Sequence, residues 1–188
     1  MRISNHERRA EGVARILISD DEIRSRINEM ATELDAAYAG DVPLLVGVLN
    51  GAITFMTDLM RAMTIPLEVD FMAVSSYGAA TQSSGVVRIL KDLSEDIEGR
   101  RVVVVEDIVD SGLTLQYLLD VLQRRNPLDL RVVALLKKEK SEAIEVQVDH
   151  VGFTIPDEFV IGYGLDYAGK YRNLPYVAIL DPRIYTRE

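Results

Sequence analysis

Three acids, Glu106, Asp107 and Asp110, stand directly behind four consecutive valines in the stretch RVVVVEDIVDSGLTL, residues 101–115. Carboxylates at that density can hold part of a hydroxylated ligand, carry a divalent cation through water, or accept a proton. Ser111, Gly112, Leu113 and Thr114 follow at once. A short polar turn opening a helix exposes several backbone N–H groups, which is a natural cradle for phosphate. Gly112 lets the backbone come close to such an anion, and the hydroxyls of Ser111 and Thr114 add donors. The residues therefore specify a cation, an anion and a base working in one place. The motif is not a Walker loop, because Gly-Lys-Ser/Thr is missing, and it lacks the Gly-x-Gly-x-x-Gly dinucleotide fingerprint. Taken alone, the acids also fit a solvated strand end followed by a helix cap at Asp110 or Ser111.

The elements that must present these groups follow from hydrophobic periodicity. Residues 101–105 read as a buried strand with Glu106 and Asp107 at its end, pointing in different directions. Residues 113–124 read as the helix after it, and 131–136 as the next strand. Upstream, Ser19-Asp20-Asp21-Glu22 has the form of a capping box. Ile23, Ile27, Met30, Leu34 and Tyr38 follow at near-helical spacing. Residues 43–49 form a strand-length apolar run, 52–63 a helix, and 67–75 a second strand. Residues 77–85 are small and polar with no apolar period, so they read as a mobile loop before a returning strand at 86–90.

Strands alternating with helices predict an α/β fold with a mostly parallel sheet flanked by helices on both faces. In such sheets ligands bind at the carboxyl edge. Past Lys140, short apolar segments at 146–148, 159–163 and 177–180 sit among Gly and Pro. They read as a small hood over that edge. The expected organisation is a single domain over 1–188, with a core at about 15–140 and a hood largely at 141–188.

Composition narrows the function classes. The net charge of −9 argues against non-specific nucleic-acid binding, so positive potential for an anionic ligand must be local. The chain has no cysteine, hence no disulfide framework and no thiolate chemistry. No apolar run reaches membrane-helix length, and the N-terminus has no signal-peptide core. A cytoplasmic protein with no membrane partner is the expectation.

VVVVEDIVDSGLTL resembles the phosphoribosyl-pyrophosphate signature of type I phosphoribosyltransferases, and most closely that of hypoxanthine-guanine phosphoribosyltransferases. Further segments keep the order and spacing of that family from about 42 to 180. Val48-Leu49-Asn50-Gly51 is similar to its pyrophosphate loop, and Ser75-Ser76-Tyr77-Gly78 to the start of its mobile loop. Leu135-Leu136-Lys137-Lys138 is similar to its purine-contacting segment, FTIPDEFVIGYGLD at 153–166 to its hood segment, and Tyr171-Arg172-Asn173-Leu174 to its last motif.

The resemblance implies transfer of phosphoribosyl from phosphoribosyl pyrophosphate to N9 of hypoxanthine or guanine, with Mg²⁺ as cofactor. It implies that Glu106 and Asp107 hold the ribose hydroxyls directly or through Mg²⁺. Asp110 would act at the base as general base or proton relay. Ser111, Gly112, Leu113 and Thr114 would bind the 5′-phosphate, and Leu49, Asn50, Gly51 and Arg172 the pyrophosphate. Lys138 would donate to the purine 6-oxo group, which an adenine amino group cannot accept. Phe159 would stack on the base, Val160 would meet its edge, and Ile108 would line the same subsite. Asp166, counted with the purine-binding residues, would hold a second Mg²⁺ beside the pyrophosphate, and Ser76 and Tyr77 would close over the site. Relatives form dimers or tetramers, so a homodimer or homotetramer is expected.

The residues themselves leave other readings open. Lys138 could belong to a solvated basic face with Lys137 and Lys140, Phe159 could be core, and Asp166 and Arg172 could form a surface ion pair. Asn50 and Leu113 stand where many relatives carry lysine, which makes the phosphate-binding loops less basic. Many relatives have a cis peptide before the position of Asn50, a feature the residues do not reveal. The other function classes are a xanthine- or guanine-preferring relative, a non-catalytic nucleotide- or RNA-binding regulator, and a phospho-accepting receiver. The charge disfavours the regulator. A receiver should carry its acids after the first strand of the chain rather than beyond residue 100.

Overall fold

A computed structural model describes residues 10–76, 87–140 and 144–185. The described chain runs β1 (Val13–Ile18), α1 (Asp20–Ala37), β2 (Leu44–Leu49), α2 (Ile53–Ala62), β3 (Glu68–Ser76), β4 (Val87–Lys91), β5 (Arg101–Val109), α3 (Leu113–Gln123), β6 (Asp129–Lys138), β7 (His150–Ile155), β8 (Val160–Ile161), β9 (Val177–Leu180) and α4 (Pro182–Tyr185).

The main sheet has the order β4-β3-β2-β5-β6-β7. Its strands are parallel except for β4, which returns antiparallel on the edge beside β3. The valine run shows why β5 is central. Val103 and Val105 pack with residues of α1 and α2, including Ile27, Leu34, Phe55 and Leu59. Val102 and Val104 face the other way, onto Leu115, Leu118 and Leu122 of α3. A strand buried on both faces needs apolar residues at consecutive positions, and each such valine contributes about 1.5–3 kcal/mol by burial.

α1 begins where its sequence says it should. The Ser19 side chain accepts from the Glu22 N–H at 3.3 Å, and the Glu22 carboxylate accepts from the Ser19 N–H at 2.8 Å. That reciprocal pair satisfies donors that a helix start leaves unpaired. Ile23, Ile27, Met30 and Leu34 are buried, as their spacing predicts.

A small antiparallel sheet, β1-β9-β8, forms the hood. Val177 and Ile179 pack onto the main core, whereas Ala178 and Leu180 pack outward under Tyr171, Leu174 and Ile184. Two details differ from the expected division at residue 140. β7, from beyond it, pairs with β6 as an edge of the main sheet, and β1, from the N-terminus, belongs to the hood. β7 does not read as a strand because it lies on an edge, mostly half-buried, with Gly152 in its middle. A Cβ at Gly152 would lie 2.5 Å from the Leu135 carbonyl oxygen, so glycine is required by the close approach of β6.

The sheet order reverses direction between β2 and β5. From β2 the chain crosses to β3 by way of α2, and from β5 it crosses the other way to β6 by way of α3. Such a switch point leaves a crevice at the carboxyl ends of the two strands. Residues 48–51 and 106–114 border it.

Candidate active site

β5 is longer than its valines suggest. The expectation that the strand ends before the acid pair is corrected, because it runs on through Val109, with Glu106 aligned to Ala134 and Ile108 to Leu136 of β6. Glu106 and Asp107 are thus held rigidly by the ladder. Both border two adjoining hollows, of about 350 and 180 Å³.

The larger hollow brings together segments distant in sequence. Leu49 and Gly51 enter from the end of β2, and Glu106, Asp107, Ile108 and Asp110 from β5. Lys138 comes from the end of β6, and Phe159, Val160, Asp166 and Arg172 from the hood side. The smaller hollow is lined by Ser111, Gly112 and Thr114 beside the acids. Asn50 and Leu113 border neither. Ser76 ends β3, and Tyr77 lies outside the described residues. Val48 and Leu165 also line the larger hollow, although neither is singled out as a site residue by the sequence. Both are apolar members of quoted motifs, and only the fold distinguishes them from ordinary core.

The turn after β5 leaves its helix start uncapped by any side chain. Neither Asp110 nor Ser111 caps α3. Gly112 is the N-cap, at φ +80°, and no side chain bonds the first turn. The amides at the helix start are therefore left for a ligand. The Ile144 N–H donates to the Ser111 carbonyl at 3.0 Å, and a Cβ on Gly112 would lie 2.7 Å from the Ile144 carbonyl oxygen. Glycine is needed here for both its conformation and its size.

Gly51 is fixed by an acid rather than by a turn. A Cβ there would lie 1.6 Å from Oδ2 of Asp107. Across the hollow, a Cβ on Gly164 would lie 2.2 Å from the Gly51 carbonyl oxygen. The loop after β2, the acid on β5 and the hood turn thus interlock through glycines. The Leu49–Asn50 peptide bond is cis. Arg172 donates from Nη1 to the Gly164 carbonyl at 2.6 Å and pairs through Nη2 with Asp166 at 2.6 Å. Asp166 also accepts from the Gly169 N–H at 2.8 Å. Arg172 and Asp166 do form an ion pair, but they form it on the wall of the cavity.

The purine-side candidates occupy telling positions. The Lys138 side chain is only 9% exposed, so it is not part of a solvated basic face. Phe159 is 39% exposed and stands edge-on to Tyr167 with ring centroids 5.6 Å apart, so it is not core. Lys138 Nζ reaches Asp110 Oδ2 at 3.2 Å and Asp157 Oδ1 at 3.2 Å.

Electrostatics separate the acids. Glu106 is buried, and burial together with the Asp107 charge pushes its carboxyl well up. Burial also raises Asp107, to about 6. The backbone N–H of Ile108, at 2.9 Å, and the Arg172 charge pull it down, while Asp166 pushes it up. Two close carboxyls in a poorly solvated crevice hold their protons to higher pH than free carboxyls do, and a cation would reverse that shift.

A phosphoribosyl transferase domain matches residues 19–168. The chain belongs to the phosphoribosyltransferase family. It is 50% identical over 184 residues to a bifunctional TilS/HprT protein of Listeria monocytogenes, covering 98% of this chain and 28% of that protein. The chain therefore spans a little over a quarter of the length of those bifunctional relatives. It is 47% identical over 173 residues to the hypoxanthine-guanine phosphoribosyltransferase of Bacillus subtilis, covering 92% of this chain and 96% of that one. It also superimposes, at TM-score 0.87 and 40% identity, on the hypoxanthine phosphoribosyltransferase of Trypanosoma cruzi in complex with the product IMP, covering 95% and 100% of the two chains. In this member of the family the crevice at the switch point is where the acid-and-turn motif of β5 meets the loop after β2.

Proposed function

We propose that this phosphoribosyltransferase is a purine salvage enzyme. It transfers the 5-phosphoribosyl group from phosphoribosyl pyrophosphate to N9 of hypoxanthine or guanine, giving IMP or GMP and pyrophosphate. One observation carries the reading: an inward-facing lysine, Lys138, and an exposed ring, Phe159, share the cavity that contains the acid pair. The acids and the phosphate turn account for the ribose donor. The lysine and the ring account for a flat, oxygen-bearing acceptor.

In this reading the 5′-phosphate lies in the smaller hollow against the amides of 111–114. Glu106 and Asp107 take the ribose hydroxyls. Asp110 accepts the purine proton and stabilises positive charge developing on the base. Lys138 donates to the 6-oxo oxygen, Phe159 stacks, and Ile108 and Val160 enclose the ring. Pyrophosphate lies by 49–51 and Arg172, whose guanidinium fork suits its oxygens.

The donor set suits Mg²⁺. Among the described residues no cluster of three or more acid or imidazole side chains is arranged to hold a metal alone. Mg²⁺ needs no such cage, because it takes one or two carboxylates together with substrate oxygens and water. The acid pair, raised by burial, gains most from a cation, and Asp166 offers a second position beside Arg172. Bound with the donor, Mg²⁺ would neutralise pyrophosphate charge.

No helix among the described residues is long and apolar enough to cross a membrane, and a cytoplasmic enzyme is the accompanying expectation. A homodimer or homotetramer is expected too. Ile53 and Leu113, exposed apolar residues at the starts of α2 and α3, are candidates for covered positions, which sedimentation would check. The function is tested by incubating the protein with phosphoribosyl pyrophosphate, Mg²⁺ and each of hypoxanthine, guanine, xanthine and adenine. IMP and GMP are expected. No nucleotide from any base overturns the reading, and product from adenine alone overturns the role of Lys138.

A further inference from the structure

Asp110 and Lys138 are joined by a second pair of charges that stand outside the cavity. Lys140 reaches Asp110 Oδ1 and lies 3.2 Å from Asp157 Oδ1, while Lys138 lies 3.2 Å from each of the same two acids. Each lysine thus touches both acids and each acid both lysines, which closes a neutral ring. Its inner members, Asp110 and Lys138, border the cavity, and its outer members, Lys140 and Asp157, do not.

The sheet register builds the ring. Val109 of β5 aligns with Lys137 of β6, which sets Asp110 beside Lys138. Lys138 aligns with Ile155 of β7, and the Glu139 N–H continues that pairing to the Ile155 carbonyl at 2.9 Å. Lys140 therefore arrives beside Asp157. Residues two apart on extended chain share a face, so both lysines point to the same acids. Asp157 opens the turn that carries Phe159 and Val160 into the cavity.

We propose that Lys140 and Asp157 are positioning residues for purine binding. Lys140 takes over both carboxylates when Lys138 turns to the base, and so keeps the Asp157–Phe159 turn seated against β6. The inference rests on the purine reading of the cavity. Its physical basis is that the three N–H donors of Lys138 diverge, so the ammonium must turn partly away from its two acids to point a donor at a 6-oxo oxygen in the cavity. With Lys140 present, each acid keeps a cation after Lys138 moves. Without it, Lys138 is the sole cation for both acids and is held back from the base.

The test compares Lys140→Met, Lys140→Arg, Asp157→Asn and the double variant Lys140→Met/Asp157→Asn. For half-exposed pairs of this kind, Lys140→Met should raise KM for hypoxanthine roughly three- to fivefold. KM for phosphoribosyl pyrophosphate and kcat should stay close to wild type. Lys140→Arg should restore the wild-type value. Asp157→Asn should resemble Lys140→Met, and the double variant should be no worse than either single one, because both break the same link. In the ligand-free protein, amide exchange at 157–160 should quicken in Lys140→Met.

Equal rises in KM for both substrates, additive single effects, failure of Lys140→Arg to rescue, or unchanged exchange would each overturn the proposal. A wild-type protein that makes no nucleotide sinks the purine reading instead. The exchange measurement then decides by itself whether Lys140 holds the turn.

Discussion

Glu106 and Asp107 stand a few residues before Asp110 on the same rising segment of chain, yet the two groups of charge are built in opposite ways. The pair on β5 is buried beside like charge, with both carboxyls pushed up and the Arg172 charge pulling Asp107 partly back. Asp110 is half-exposed and lies in a ring in which every charge meets two opposite ones. The first arrangement is unsatisfied until a ligand brings positive charge. The second is satisfied at rest and must be partly undone for a base to enter. One edge of one sheet thus holds a site that pulls its ligand in and a site that yields to it.

The difference can be broken most directly at Asp110. Asp110→Asn keeps the shape and removes the proton acceptor, so kcat should fall by about a hundredfold or more. KM for phosphoribosyl pyrophosphate and the melting temperature should change little, since neither the donor subsite nor the core depends on this carboxylate. Equal losses in kcat and in donor binding would move Asp110 into the binding machinery and erase the contrast.

The buried pair should respond in the opposite sense. Asp107→Asn should impair activity while making the ligand-free protein more stable near neutral pH, by about 1–3 kcal/mol, and Glu106→Gln should act in the same direction. The sign follows from the raised carboxyls. The folded state binds more protons than the unfolded one between the ordinary aspartate value of 3.8 and about 6. Stability from this group is therefore full below the lower value and is lost as pH rises through the upper one. Asparagine does not titrate, so the advantage of Asp107→Asn should be small near pH ~4 and largest above pH ~7. Urea midpoints at several pH values measure it, and a gain independent of pH would show that the acid is not destabilised by burial.

The smallest effect should come at the phosphate turn, which carries no side-chain charge of its own. Leu113 is exposed at the start of α3. Leu113→Lys would add a cation near a helix N-terminus meant for phosphate, lowering KM for the donor by about two- to fivefold at low salt. High salt should erase the gain. Persistence of the gain in high salt would point to packing rather than charge.

The residues that announce themselves in the sequence are those whose role is local. The capping box at Ser19, the doubly buried valines and the Ser111–Thr114 turn each rest on neighbours within a few positions, so pattern alone reveals them. The mostly parallel sheet follows from the alternation of such elements. What stays hidden depends on partners far away in the chain. β1 and β7 are half-buried edge strands, and only pairing identifies them. The requirement for glycine at 51 comes from Asp107, and that at 164 from Gly51. Lys140 and Asp157 look like ordinary surface charges until the register of β5, β6 and β7 sets them side by side. The candidate cavity was legible as separate motifs, whereas its closure by register and glycine contact was not.

The hood is tied off by segments far apart in the sequence, with β1 paired to β9 from Val13–Leu180 to Ile18–Val177. In order of synthesis, β1 must wait for β9. The acid pair and phosphate turn can assemble with the parallel strands around them while β1 still has no partner. Protease digestion of chains arrested before and after 177–180 should find β1 open in the first and protected in the second. On the proposed function, a growing chain acquires the donor subsite and Lys138 before Phe159 and Val160 can close over the base.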